Sequence, residues 1–297
     1  MSQPSERAGS IYDLGYRRYD GARLGRRHAI TSLYLFSLRG AYGLGRRTTS
    51  KIIPVAIAII AAIPALIQLG IAAIATSQTL DIIKPENYFG FIQIVLALFC
   101  AAVAPEVMGR DQRTRTLPLY FSRALSRQDY VLAKLLALAS AMLVLTLLPE
   151  LVLFIGNSLA STDTGQFWRD NWPDLPRIVA SGVVAALLFA SLSLLVAAQT
   201  GRRAYATIAV IAVFILSDIV ADIVVNTGTD AVAKVAVLLS PVQVTSGAIF
   251  WIFGARPDAE SAMAKADWPG AVYFVVALAA TGIATWLVIR KYQKVSV

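Results

Sequence analysis

The chain has 297 residues, of which 57% are apolar and only 15% are charged, and its mean hydropathy is +0.64. Soluble domains carry about a quarter charged residues, so this composition excludes an ordinary soluble domain and indicates an integral membrane protein. The net charge of +9 does not indicate nucleic-acid binding, because the cytoplasmic loops of membrane proteins are rich in lysine and arginine. One cysteine and one histidine are too few for a Cys/His zinc site or an iron–sulfur cluster.

Residues 1–51 form the first predicted region, a cytoplasmic segment that is too short and too charged to bury a core of its own. Between His28 and Arg47, apolar residues recur at helical spacing and are accompanied by arginines. This pattern predicts an amphipathic helix that lies on the inner leaflet. A basic, partly disordered tail is the alternative. The first 29 residues contain no apolar stretch typical of a secretory signal peptide.

The remaining residues, 52–297, are predicted to form one transmembrane domain, so the expected fold class is all-α. Six apolar runs reach the roughly 20 residues that a helix needs to cross a bilayer core about 30 Å thick. The predicted spans are residues 52–76, 88–108, 130–156, 178–199, 205–225 and 270–289.

A further apolar stretch, residues 231–254, is interrupted by Lys234 and by Pro241. Proline removes a helical hydrogen bond, and a lysine at mid-membrane costs about 2.5–3.5 kcal/mol. We therefore predict a re-entrant or interfacial helical hairpin within an extracellular segment, residues 226–269. A variant in which this stretch crosses and residues 205–225 do not would keep the same topology at both termini.

The distribution of lysine and arginine predicts the orientation of the six spans. With a cytoplasmic N-terminus, the segments before span one and after spans two, four and six together hold 21 of the 27 basic residues. This bias is the one that the positive-inside rule requires. We therefore expect both termini to lie in the cytoplasm.

Four acidic residues, Glu106, Glu150, Asp218 and Asp222, lie in or beside the predicted spans. Acids within a membrane are costly and usually face a bundle interior or water, so these are candidate functional residues. Glu106 is more simply explained as a partner of the basic loop that follows it. Asp218 and Asp222 stand four residues apart and share one helix face, but they would lie at the outer surface if span five ends early.

No catalytic, cofactor-binding or metal-binding residues are predicted. Residues 43–51 only superficially resemble a phosphate loop, since Ser50 precedes Lys51 and the required Gly-Lys-Ser/Thr order is missing. A single histidine also argues against His-dependent acid–base chemistry. If ATP drives this protein, another polypeptide must bind it.

The most distinctive polar segment follows span two and reads GRDQRTRTLPLYFSRALSRQD; we call it the 109–129 loop. Apolar residues alternate with arginines in this loop, which predicts a short amphipathic helix. The apolar side of such a helix needs either lipid or a partner protein. The alternative is that the arginines only obey the positive-inside rule while the apolar side lies on lipid.

In the order and spacing of these motifs, the chain resembles the permease subunits of bacterial ABC type 2 exporters. The shared features are an acid at the end of span two, a charged stretch, a Thr-Leu pair, a Leu/aromatic cluster, a Ser-Arg pair and a lysine that opens span three. Here these are Glu106, Arg110–Arg115, Thr116-Leu117, Leu119–Phe121, Ser126-Arg127 and Lys134. The N-terminal Tyr16–Gly21 segment, the six spans and the outer hairpin fit the same family. Many members have glycine where this chain has Arg115.

The resemblance implies that the 109–129 loop forms a coupling helix in a groove of a cytosolic ABC ATPase subunit. That subunit would carry the ATP and Mg, so this chain would need no cofactor and would be no enzyme by itself. Two permeases, identical in a homodimer or related in a heterodimer, would form the pathway within the lipid of the bacterial plasma membrane. The residues implied in ATPase coupling are Arg113, Arg115, Thr116, Leu117, Tyr120, Phe121, Arg123, Ser126 and Arg127.

Three other functions are alternatives to this one. An ion-coupled secondary transporter predicts inverted repeats and midplane acids, and neither is apparent. A membrane enzyme acting on lipid would need clustered His or Asp residues at the interface. A non-transporting anchor or assembly factor needs only spans and a docking loop, so the sequence does not separate it from an exporter.

Overall fold

The structure is a computed structural model that describes residues 21, 24–45, 48–74, 84–122 and 125–294. All regular secondary structure in these ranges is helical. The α-helices are α1 (Arg26–Ala41), α2 (Thr49–Ile74), α3 (Pro85–Val107), α4 (Gly109–Arg113), α5 (Leu117–Phe121), α6 (Arg127–Ala160), α7 (Thr164–Asn171), α8 (Asp174–Ala198), α9 (Arg203–Ile211), α10 (Ser217–Thr227), α11 (Asp230–Leu239), α12 (Pro241–Phe253), α13 (Ala262–Ala266) and α14 (Gly270–Gln293). A π-helical turn, Ala212–Leu216, joins α9 to α10 in one continuous helix.

Six stretches within the described residues are long and apolar enough to cross a bilayer, which confirms the all-α fold with six spans. They are α2, α3 continued by α4, α6, α8, α9 through α10, and α14. At 1.5 Å per residue, the 34 residues of α6 extend about 51 Å, which exceeds the roughly 30 Å apolar core of a bilayer. Part of α6 therefore projects beyond the membrane.

Spans two, three and four form the centre of the bundle, with 61–67% of their most apolar windows buried. Spans one, five and six are peripheral, with only 17–22% buried. Small residues permit the close approach of helices in the centre. At Gly182, for example, a β-carbon would lie 2.6 Å from Leu147 of α6.

We name the two ends of the bundle by their contents. The loop end holds α4, α5 and the start of α6, and the hairpin end holds α7 and α11 to α13. Helix α1 packs along α6 at the loop end, where the Tyr34 hydroxyl lies 3.0 Å from Ser140 Oγ and the Tyr42 hydroxyl donates to the Ala141 carbonyl at 2.6 Å. The lipid-facing placement of this helix stays a prediction.

The apolar stretch before span six is broken at Pro241, where α11 and α12 meet at an angle of 89°. Its first helix lies near the start of span six, because the Trp268 indole donates to the carbonyl of Lys234 in α11 at 3.1 Å. Its second helix ends near the same place, with the rings of Trp251 and Phe274 4.8 Å apart. The pair thus enters and leaves at the hairpin end, which is the geometry of a re-entrant segment.

Candidate functional site

The 109–129 loop begins as a continuation of α3 and turns sharply between α4 and α5. The reversal occurs at Arg115, whose φ of 52° lies in the left-handed region. Thr116 Oγ donates to the Asp111 carbonyl at 3.3 Å and closes the turn. The left-handed conformation costs an ordinary L-residue about 1–2 kcal/mol but is easy for glycine. This explains physically why glycine is common here in the permeases that the sequence resembles.

Asp111 and Lys134 form a buried ion pair that joins α4 to α6. Lys134 Nζ lies 2.8 Å from Asp111 Oδ2, and the two side chains are only 3% and 8% exposed. The Tyr130 hydroxyl donates to the same carboxylate oxygen at 2.8 Å. Because removal of one partner leaves the other charge buried and uncompensated, this pair resists separation of the two helices.

Gln112 joins the same short helix to spans four and six. Its Nε2 donates to the Tyr292 hydroxyl at 2.6 Å and to the Ala198 carbonyl at 3.2 Å. Lys291 Nζ also donates to the carbonyl of Ala198. Helix α4 is therefore bonded to the ends of α8 and α14 as well as to the start of α6.

The apolar side of α5 faces the bundle. The rings of Tyr120 and Phe121 both lie 5.7 Å from the ring of Tyr130, and Leu117 is only 8% exposed. Leu119 points the opposite way and is 67% exposed. Helical periodicity accounts for this division, since residues three and four apart share a face. Of the apolar residues in this helix, Leu119 presents the largest exposed side chain.

Glu106 bridges two arginines at the loop end. Its Oε1 lies 3.0 Å from Arg203 of span five and 3.4 Å from Arg113 of α4. The prediction that this acid pairs with the basic loop is therefore reproduced by the geometry. Arg113 contacts an acid of its own chain while remaining partly exposed.

The last part of the loop forms the beginning of α6. Ser126 Oγ accepts a hydrogen bond from the Asp129 amide, and the Asp129 side chain accepts one from the Ser126 amide, which forms a capping box. Arg26 of α1 binds both carboxylate oxygens of Asp129 at 2.8 Å. The Arg127 guanidinium lies 5.7 Å from the ring centroid of Phe121. Ser126 and Arg127 thus hold the loop's own conformation.

Of the remaining predicted coupling residues, three lie in or next to the turn between α4 and α5 and one lies outside the described residues. Arg113 and Arg115 are exposed, and Thr116 is half-buried in the turn. Arg123 lies outside the described residues. The coupling role of all these residues stays a prediction.

The acids nearer the hairpin end occupy different environments. Glu150 is buried, with its Oε2 unbonded among the described residues. Asp218 Oδ1 accepts hydrogen bonds from Ser240 Oγ at 3.1 Å and from Gln243 Nε2 at 2.9 Å, and it thereby holds the bend between α11 and α12. Asp222 is exposed and lines an open cavity beside α3. The shared face of the two aspartates therefore looks toward the re-entrant segment.

The family model of the ABC-2 family transporter protein matches residues 23–297 of the chain. The chain belongs to the ABC-2 transporter family. No curated protein matches it. The match covers all six spans, the 109–129 loop and the re-entrant segment, which confirms the resemblance drawn from the loop motifs.

An ABC-2 family member is a transport component of an ABC-type membrane transporter, and the family implies a non-catalytic role for such a chain. In the described part of this ABC-2 protein, no group of three or more His, Cys, Asp or Glu side chains is arranged to hold a metal ion.

Sequence reasoning missed two features of the loop end. Leu119 adjoins the aromatic Tyr120 and Phe121 in the sequence, although the helical spacing of residues 117, 120 and 121 places those three on one face and Leu119 on the other. In the sequence, Asp111 is only one member of a charged stretch. Nothing local in the sequence pairs it with Lys134, because that contact depends on how α4 folds back against α6.

Proposed function

We propose that this chain is the permease subunit of an ABC exporter in the bacterial plasma membrane. A separate cytosolic ATPase subunit hydrolyses ATP with Mg, and the loop end and both termini lie in the cytoplasm. One observation carries the proposal: an exposed leucine, Leu119, stands on a short helix whose other side is packed against the spans.

The docking surface consists of the exposed side of α5 and the turn before it. Pro118, Leu119 and Ser122 are exposed there, and Arg113 and Arg115 add positive charge at the edge. An apolar anchor surrounded by cations fits a shallow apolar groove with an acidic rim. A cytosolic protein can present an apolar groove and acidic side chains together. On a lipid surface, only the headgroups could provide the negative charge.

Movement of the docked helix passes into the membrane through packed contacts. Tyr120 and Phe121 press on Tyr130 at the start of span three, and Gln112 connects to the ends of spans four and six. Close-packed interiors transmit displacement because they have little free volume to absorb it. A shift of α5 would therefore move three spans together.

The pathway is proposed to run between α3 and span five, where a second permease copy or a related permease closes the groove. A cavity of about 300 Å³ at the loop end is lined in part by Ser50, Glu106 and Arg203. A second, of about 330 Å³ at the hairpin end, is lined in part by Asn87 and Asp222. Both lie beside the least buried spans, whose apolar surfaces need lipid or another subunit.

The decisive experiment is Leu119→Asp, with affinity capture of the tagged permease from its native membrane and detection of a co-purifying ATPase. We expect wild type to recover the ATPase and the variant to bind it about tenfold more weakly or worse, because a charge replaces the central apolar anchor. Membrane insertion and thermal stability should change little, since the Leu119 side chain is 67% exposed.

Leu24→Asp is the matched control, because Leu24 is a similarly exposed leucine outside the 109–129 loop. It should leave ATPase recovery unchanged. Full recovery by Leu119→Asp, or equal loss with both variants, would contradict docking on α5. Leu117→Asp is unsuitable for this test, since a buried position would confound docking with unfolding.

A further inference from the structure

A small cavity at the hairpin end lies between the outer parts of α6 and α8 and is covered by α7. Its volume is about 70 Å³. A cavity needs at least about 10–15 Å³ to hold one water molecule, so this space is large enough for water or a small ligand group. The side chains around it include Glu150 and Asn157 of α6 and the apolar Leu153, Phe154 and Ile178.

Two hydrogen-bond acceptors in this cavity lack donors within the described residues. Glu150 is only 7% exposed, and its Oε2 has no hydrogen-bond partner. The buried Oδ1 of Asn157, on the same helix, has none either. Buried polar atoms of this kind are rare in native proteins, and each needs an explanation.

The other polar groups at the cavity do not satisfy these acceptors. Asp174 is bonded by Arg177 at 3.0 Å, and Asn171 Nδ2 donates to the Phe167 carbonyl at 2.9 Å. Lys84 lies at the cavity margin with an exposed side chain, and no ion pair joins it to Glu150 in the described part of the chain. The lining thus contains two acceptors without donors among the described residues, Glu150 Oε2 and Asn157 Oδ1, beside several apolar side chains.

We propose that this cavity binds a primary ammonium group carried on a short aliphatic chain. An ammonium supplies three N–H donors and a positive charge, which complement the carboxylate of Glu150. Asn157, two helical turns further along α6, offers a second acceptor in the lining of the same cavity. The adjoining carbons fit against Leu153, Phe154 and Ile178. A quaternary ammonium has no N–H to donate, so it satisfies neither acceptor.

Two sources carry this chemistry at the hairpin end: a free amine in the surrounding water, and the ethanolamine headgroup of a membrane lipid. Phe154 also contacts the indole of Trp168 in α7, with ring centroids 5.2 Å apart. A ligand in the cavity would therefore affect the position of α7 through the contact between Phe154 and Trp168. The proposal stands independently of ATPase docking, which involves the opposite end of the bundle.

The test is calorimetric titration of the full-length protein in detergent with ethylammonium chloride. Wild type should bind it saturably, and Glu150→Gln, which keeps the shape and removes the charge, should weaken binding about tenfold or more. Asn157→Leu should weaken it as well. Asp170→Asn removes an exposed carboxylate of α7 outside the cavity and should bind like wild type.

Reconstitution into nanodiscs of phosphatidylethanolamine or phosphatidylcholine, followed by native mass spectrometry, distinguishes a free amine from a lipid headgroup as the ligand. Retention of phosphatidylethanolamine by wild type but not by Glu150→Gln indicates the lipid headgroup; ethylammonium binding without such retention indicates a free amine. Either result supports the site.

Three outcomes would overturn it: no saturable heat, so that the cavity takes only water; equal affinity of Glu150→Gln and wild type; or equal competition by tetramethylammonium. If Glu150→Gln fails to purify, Asn157→Leu carries the same comparison.

Discussion

The carboxylates within the bundle have ionic partners at one end and none at the other. At the loop end, Asp111 is paired with Lys134 and Glu106 with two arginines. At the hairpin end, the inward-facing Asp218 meets only the neutral donors Ser240 and Gln243, and one oxygen of Glu150 meets no donor among the described residues.

The loop end is therefore held rigid by ion pairs, whereas the hairpin end has acceptors that are available to bind a ligand. Charges that satisfy one another inside one chain fix the relative positions of the helices that carry them, as α4 and α6 illustrate. Acceptors without an ionic partner keep capacity for water or a ligand. On the proposed function, the loop end would transmit movement, and the hairpin end would contact what is bound or transported.

The largest expected effect comes from breaking the ion pair of the loop end. Lys134→Met should destabilise the protein by about 3–5 kcal/mol, because Asp111 is left buried without its cation. Thermal unfolding in detergent measures this change. The double variant Lys134→Met/Asp111→Leu should recover much of the loss, since it removes both charges. A single variant as stable as wild type would show that the pair does not hold the loop end together.

A smaller effect is expected at the bend of the re-entrant segment. Asp218→Ala should cost about 1–3 kcal/mol, because Ser240 and Gln243 both lose their acceptor. Asp218→Asn keeps an acceptor oxygen and should cost less. Limited proteolysis and unfolding of the purified protein test both. The exposed Asp222→Ala is the control and should lie within about 0.5 kcal/mol of wild type, so an equal loss there would argue against a specific role of Asp218.

The smallest change in stability is expected at the turn of the 109–129 loop, where one substitution should stabilise the protein. Arg115→Gly should raise stability by up to about 1 kcal/mol, because glycine adopts the left-handed backbone without a steric penalty. Arg115→Val should lower it, since a β-branched side chain is least tolerated there. Melting temperatures of the two variants, compared with Arg115→Ala, measure the difference. The opposite order would mean that the arginine side chain contributes more than the backbone conformation costs.

The number and approximate positions of the spans could be read from the sequence because each depends on a local property, the length of an apolar run relative to the thickness of a bilayer. The break at Pro241 was equally local, since proline removes a helical hydrogen bond wherever it stands in a helix. The resemblance of the 109–129 loop also rested on residues adjacent in the chain. The family match over residues 23–297 confirms this resemblance.

Hydropathy, basic-residue bias and motif order by themselves determined that this chain is an all-helical, six-span protein of the ABC-2 kind. Only the tertiary structure decided which face of α5 is exposed, that Asp111 pairs with Lys134 and that one oxygen of Glu150 has no hydrogen-bond partner among the described residues. The physical reason is distance along the chain. Crossing a membrane depends on one segment and its solvent, whereas the partner of a buried charge depends on which helices pack side by side.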